Sequence, residues 1–141
     1  MKYTGGCHCG NILVVFESDL APSEFEVRAC QCGFCRKHNT RAIADPAGRA
    51  VIEVKDADRL SRYQFGLKTA EYLVCRDCGV YVAAVTPEEI GEVRAIVIVN
   101  ALDKHTLFRG PVIPVSYDGE ETADRIARRQ VRWTPAIVHG T

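Results

Sequence analysis

All seven cysteines of this chain fall in three short clusters. Cys7-His8-Cys9 is followed by Gly10. Cys30-Gln31-Cys32-Gly33-Phe34-Cys35 joins two spacings through Cys32. Cys75-Arg76-Asp77-Cys78 is followed by Gly79. An odd count cannot be consumed by internal disulfides, and thiols one or two residues apart on a turn reach a single ion with little further loop-closure entropy. A glycine after the second cysteine allows a positive φ and a tight turn around a metal. Pairing Cys7 and Cys9 with Cys75 and Cys78 gives a closed, structural four-thiolate site. Cys30, Cys32 and Cys35 then suit a second zinc with one position unfilled, the mark of a catalytic site that water or substrate can enter. Spacing alone leaves two alternatives. Cys32-x-x-Cys35 with Cys75-x-x-Cys78 makes a ribbon-like site, across a gap longer than the roughly 15–20 residues usual there. His8, His38 or His105 could instead close the three-cysteine set.

The rest of the composition narrows the class. A chain of 141 residues supports one domain with one sizeable core. Lysine plus arginine is 18 and aspartate plus glutamate is 18, so the formal charge is zero and a polyanion such as duplex DNA is not the expected partner. The N-terminal residues lack the apolar core of a secretory signal, and the longest aliphatic runs, 12–16 and 95–99, are strand-sized. The expectation is a cytoplasmic protein with no membrane span, in a compartment that keeps thiols reduced.

Strand signals dominate. Residues 11–17 are apolar and β-branched, and Phe25, Val27 and Ala29 alternate with Glu24, Glu26 and Arg28 at the period of a half-buried strand. Residues 50–54, 60–65, 70–74 and 80–85 are further candidates, and 94–100 reads as a buried central strand. Two segments read as helical: a short turn at 34–39 and a longer helix at 120–132. In the latter, Arg125, Arg128, Arg129 and Arg132 share one face. Glu121 and Asp124 stand four residues before Arg125 and Arg128, so the face reads as solvated and salt-bridged. An anion site for a carboxylate or phosphate is the sharper alternative. The whole is mainly β with one late helix.

The ordered set Gly5-Gly6-Cys7-His8-Cys9-Gly10, Cys30-x-Cys32-x-x-Cys35-Arg36-Lys37 and Cys75-x-x-Cys78-Gly79 resembles the glutathione-dependent formaldehyde-activating enzyme family, which includes centromere protein V-like proteins. Asn100-Ala101-Leu102-Asp103 looks like the family's asparagine and leucine-aspartate pair. The resemblance implies one zinc-binding domain over residues 1–141. It implies an Mss4-like fold of several coiled antiparallel β-sheets with a C-terminal helix. It implies Cys7, Cys9, Cys75 and Cys78 as ligands of a structural zinc, and Cys30, Cys32 and Cys35 as ligands of a catalytic one. The implied activity is that of a carbon–sulfur lyase, joining glutathione to formaldehyde as S-hydroxymethylglutathione. Arg36, Lys37 and His38 follow the catalytic triple and are candidate donors or carboxylate clamps for such a thiol. Rival readings are a non-catalytic zinc module that binds a protein or nucleic acid, a redox-sensing zinc protein, and a methionine sulfoxide reductase-like enzyme. The last would need a redox cysteine outside the clusters, and there is none.

Overall fold

The computed structural model describes Met1–Thr141. Its first element, β1 (Lys2–Gly6), forms an antiparallel hairpin with β2 (Ile12–Glu17). In β2 the side chains of Ile12, Val14 and Phe16 are buried while their neighbours face outward, the alternation expected of a sheet with one wet face. β2 pairs antiparallel with β5 (Arg49–Val54), which pairs in parallel with β11 (Thr134–His139). Between these lie β3 (Val27–Cys30), the short helix α1 (Gly33–Lys37) and β4 (Ala42–Ile43).

A second group of strands follows. The meander β6 (Leu60–Tyr63), β7 (Glu71–Cys75), β8 (Tyr81–Val85) and β9 (Arg94–Ile98) is antiparallel throughout. β9 then pairs β4, β4 pairs β3, and β3 runs parallel to β10 (Val112–Val115). The helix α2 (Thr122–Arg132) leads directly into β11. Thr134 and Pro135 pair with β9, whereas residues Ala136 to His139 pair with β5, so one bent strand joins both groups. The fold is therefore mainly β, a mixed and mostly antiparallel arrangement with its longer helix near the C-terminus.

The strand expectations held at β2, β3, β5, β6, β7, β8 and β9. The strand expected over 94–100 ends at Ile98, because Val99, Asn100 and Ala101 turn into a 3-10 segment. β1, β4, β10 and β11 had no clear strand signal. β1 carries two glycines, β4 has two residues, β10 holds a proline on an edge and β11 a proline at its start. Their pairing comes from neighbours rather than from their own pattern. No helix is long and apolar enough to cross a membrane.

The main core lies between the two groups of strands and includes Ile12, Phe16, Ile52, Leu73, Val82 and Val97. A smaller core under α2 holds Ala42, Ala70, Tyr81, Ala84, Ile98 and Trp133. Ile52 is fully buried at the centre of β5, between β2 and β11. Replacement by alanine removes its packing and leaves a hole, so Ile52→Ala should destabilise the fold by about 2–5 kcal/mol. The expected readout is a lower urea midpoint with an unchanged slope.

Candidate metal centres and the adjoining cavity

The β1–β2 turn carries Cys7 and Cys9, while Cys75 ends β7 and Cys78 sits in the turn to β8. These four sulfurs all lie within 4.8 Å of one another. Cys9 Sγ is 3.8 Å from Cys7 Sγ and 3.5 Å from Cys75 Sγ. A tetrahedron with metal–sulfur bonds of about 2.3 Å has edges of about 3.8 Å, so these separations are close to those of a four-thiolate zinc site. Both following glycines take the positive φ anticipated for them, +85° at Gly10 and +76° at Gly79. That conformation lets the Gly79 amide donate back to the Cys75 carbonyl at 2.9 Å. The Ile12 amide donates to Cys7 Sγ at 3.2 Å and Arg59 Nη2 to Cys9 Sγ at 3.6 Å, which stabilises thiolate charge. Burial raises the Cys78 thiol, but the Cys9 and Val80 amides and the neighbouring thiols outweigh it and hold Cys78 at about 6.

The second group gathers Cys30 from the end of β3, Cys32 and Cys35, again with all sulfurs within 4.8 Å. Cys32 is the N-cap of α1, its Sγ accepting from the Cys35 amide at 3.4 Å. Cys35 is buried in that helix. A hydrogen bond from the Cys35 thiol, above other contacts, lowers Cys30 to about 5, and the same contact pushes Cys35 up. One thiolate is thus favoured even before a metal enters. The ribbon-like pairing of the second and third clusters does not form, and no histidine joins either group. The two groups, of four and of three cysteines, are consistent with two zinc sites.

Beside the triple lies a cavity of ≈ 70 Å³ walled by Cys30, Cys35, Tyr72, Arg128, Arg129 and Trp133, among others. The Phe34 ring, projecting from α1, packs 4.9 Å from Tyr72 and 5.1 Å from Tyr81. Burial pushes the Tyr72 phenol up to about 12 and raises Tyr81 well above its ordinary value. Both therefore keep their protons at neutral pH, and the buried Tyr81 hydroxyl has no hydrogen-bond partner.

Arg36, Lys37 and His38 sit outside this wall. All three are exposed, at and just beyond the end of α1, and the His38 ring stacks 4.5 Å from Phe34. His8 and His105 are exposed as well. Asn100 is a tie: its Oδ1 accepts from the Arg41 amide at 2.9 Å and its Nδ2 donates to the Asn39 carbonyl at 3.1 Å. Asp103 accepts from Thr4 Oγ1 at 3.1 Å.

The arginine face differs from the solvated one expected. Arg125 and Arg128 both bind Glu120, at 3.1 and 3.0 Å, rather than Glu121 and Asp124 within the helix. Arg128 lies over the Tyr117 ring at 3.5 Å, and Arg129 is buried against Trp133. Helical spacing identified the shared face but not what it packs against. Tyr72 and Trp133 carry no motif signal, because the cavity forms only when β3, β7, β9 and α2 meet.

The model of the family described as glutathione-dependent formaldehyde-activating enzyme matches residues 2–113. The chain belongs to this family. A crystal structure of a Rhodobacter sphaeroides protein is 30% identical, with a TM-score of 0.52 over 77% of this chain and 98% of that one. Family membership brings with it the Mss4-like fold. In the formaldehyde-activating family match, both cysteine groups fall inside the matched span, whereas α2 and β11 lie beyond it.

Glu120 anchors the arginine side of the cavity, and hydrogen bonds from Arg128 and Arg125 hold its carboxyl below the usual range. A depressed carboxyl contributes stability above its unfolded value, and that stability is lost as pH falls through its folded value. The Glu120→Gln protein should therefore be less stable at neutral pH, by about 1 kcal/mol or less after solvent screening. The gap from wild type should close as pH drops below the carboxylate range, which thermal unfolding across pH would measure.

Proposed function

We propose that this chain is a zinc-dependent enzyme of carbon–sulfur chemistry. It adds a thiol such as glutathione to formaldehyde or a related aldehyde in the cytoplasm, as a single domain with one structural and one catalytic zinc. One observation carries the reading: a group of three thiols has no fourth protein donor, and two of them, Cys30 and Cys35, line a cavity. The family description supports the same chemistry. When bound to Cys30, Cys32 and Cys35, zinc supplies Lewis acidity and lowers the pKa of a coordinated thiol or water.

The chain's own residues supply the rest. Cavity side chains exclude water from the carbonyl compound and hold it beside Cys30 and Cys35. Thiol addition leaves negative charge on the former carbonyl oxygen, and a fixed donor there lowers the barrier. Tyr72 lines the cavity and keeps its phenolic proton, so its Oη–H is such a donor. Arg36, Lys37 and His38 are exposed around the end of α1, and in this reading they clamp the carboxylates of a peptide thiol arriving from solvent.

Zinc stoichiometry with Cys32→Ser tests the reading. Serine keeps the N-cap hydrogen bond of α1 but not the thiolate. Bound zinc should fall from about two to about one per chain with the fold intact. Metal-dependent aldehyde–thiol turnover should disappear with it. Collapse of the Cys32→Ser fold would make the triple structural. Absence of metal-dependent turnover in the wild type across several thiols and aldehydes would sink the enzyme assignment.

A further inference from the structure

Three arginines wall the cavity beside the cysteine triple, and they are not equivalent. Arg28 is paired with Glu26 at 3.1 Å and Arg128 with Glu120 at 3.0 Å. Arg129 forms no ion pair. Only 7% of it is exposed, its Nη1 donates to Thr69 Oγ1 at 2.8 Å, and its buried Nε has no partner. The guanidinium stacks 4.7 Å from Trp133, so it is held in place rather than free to swing out. No carboxylate pairs with Arg129, whose charge otherwise acts on the Cys30 thiol in the same cavity, so an anion delivered there meets a buried cation that no acidic side chain answers. Guanidinium is the side chain best shaped to receive a carboxylate.

The remaining wall sets the size and polarity of what enters. Ala42, Ile43, Ala44, Ile96 and Val115 give much of it an aliphatic lining. The ≈ 70 Å³ available suits a compact ligand of a few non-hydrogen atoms. A tripeptide thiol does not fit within it, and formaldehyde leaves Arg129 unanswered. Arg128, Arg129, Tyr117 and Trp133 all lie beyond the residues that match the family model, so this wall is supplied by the chain's own C-terminal segment.

We infer that the cavity binds a compact carboxylate-bearing carbonyl compound, such as a two- or three-carbon oxo acid, with its carboxylate on Arg129 and its carbonyl toward Cys30 and Cys35. The inference rests on the thiol–carbonyl chemistry proposed above and replaces formaldehyde by a charged substrate. The step balances without an oxidant. The thiol sulfur bonds to the carbonyl carbon, the carbonyl π bond breaks, and the thiol proton ends on the oxygen, giving a hemithioacetal that carries a carboxylate.

Trp133 is the only tryptophan and lies in the wall, so its fluorescence reports directly on occupancy. The zinc-loaded chain is titrated with sodium propionate and with propionamide, which matches its shape without the charge. A saturable change with propionate, at least about tenfold weaker with the amide, is expected. Arg129→Gln should lose the response by a similar factor and Arg129→Lys should retain part of it. If Arg129→Gln fails to fold, Ala44→Leu, which fills the cavity and leaves Arg129 in place, should abolish binding.

Equal binding of the amide overturns the inference, as does a propionate response that survives in Arg129→Gln or Ala44→Leu. Loss of zinc retention in Arg129→Gln with the propionate response intact also overturns it, because Arg129 would then serve only as counter-charge to the thiolates. Turnover with glyoxylate or pyruvate is assayed separately beside formaldehyde. Specific propionate binding without any thiol–carbonyl turnover sinks the enzyme reading and leaves the anion pocket standing. Turnover of formaldehyde with no carboxylate binding does the reverse.

Discussion

Convergence of Cys7 and Cys9 on Cys75 and Cys78 fixes how the two groups of strands meet. One pair rides the turn of the β1–β2 hairpin and the other the β7–β8 turn, yet their sulfurs lie within 4.8 Å of one another. Closing that contact brings together segments far apart in sequence, at a conformational cost that grows only slowly with the length between them. Strong ligand–metal bonds offset such a cost in small β domains. Ile12, directly after the first knuckle, donates its amide to Cys7 and buries its side chain in the main core. The thiol cluster and the hydrophobic core are therefore continuous.

The second cysteine group occupies a different mechanical setting. Cys30 ends a strand, Cys32 caps a helix and Cys35 lies inside it, so local backbone geometry alone presents three sulfurs to one point. What surrounds that point is assembled from distant parts. Phe34 packs its ring among Tyr72 and Tyr81, β4 and β9 supply aliphatic wall, and α2 brings the guanidinium groups. Two of the three thiols, the protonated Tyr72 phenol and a buried arginine without an acidic partner make a pocket of mixed character. The sulfurs are soft and electron-rich, and the arginines in the same lining are cationic.

β11 makes this pocket possible. Its first residues pair with β9 and its later ones with β5, so the bend at its start anchors the end of α2 against the site. Trp133, immediately before that strand, is buried with Arg129 stacked upon it. The parallel β5–β11 and β3–β10 pairings both depend on long connections, and both bring C-terminal residues back to strands laid down early in the chain.

The sequence by itself determined the metal-binding potential, the mainly β class and the position of the longer helix. Cysteine clusters, period-2 alternation in strands such as β2, and helical charge spacing in α2 are local, and local geometry dictates them. Spacing offered the division into a four and a three beside a ribbon-like alternative, and the tertiary structure decided between them. Tertiary structure alone decided that Arg128 and Arg129 turn from solvent toward the triple, that Arg129 lacks an acidic partner, and that Arg36 and Lys37 stand outside the cavity wall. Helical periodicity states which residues share a face. What that face meets is set by non-local packing, here by the strand that follows the helix and returns it to the cysteines.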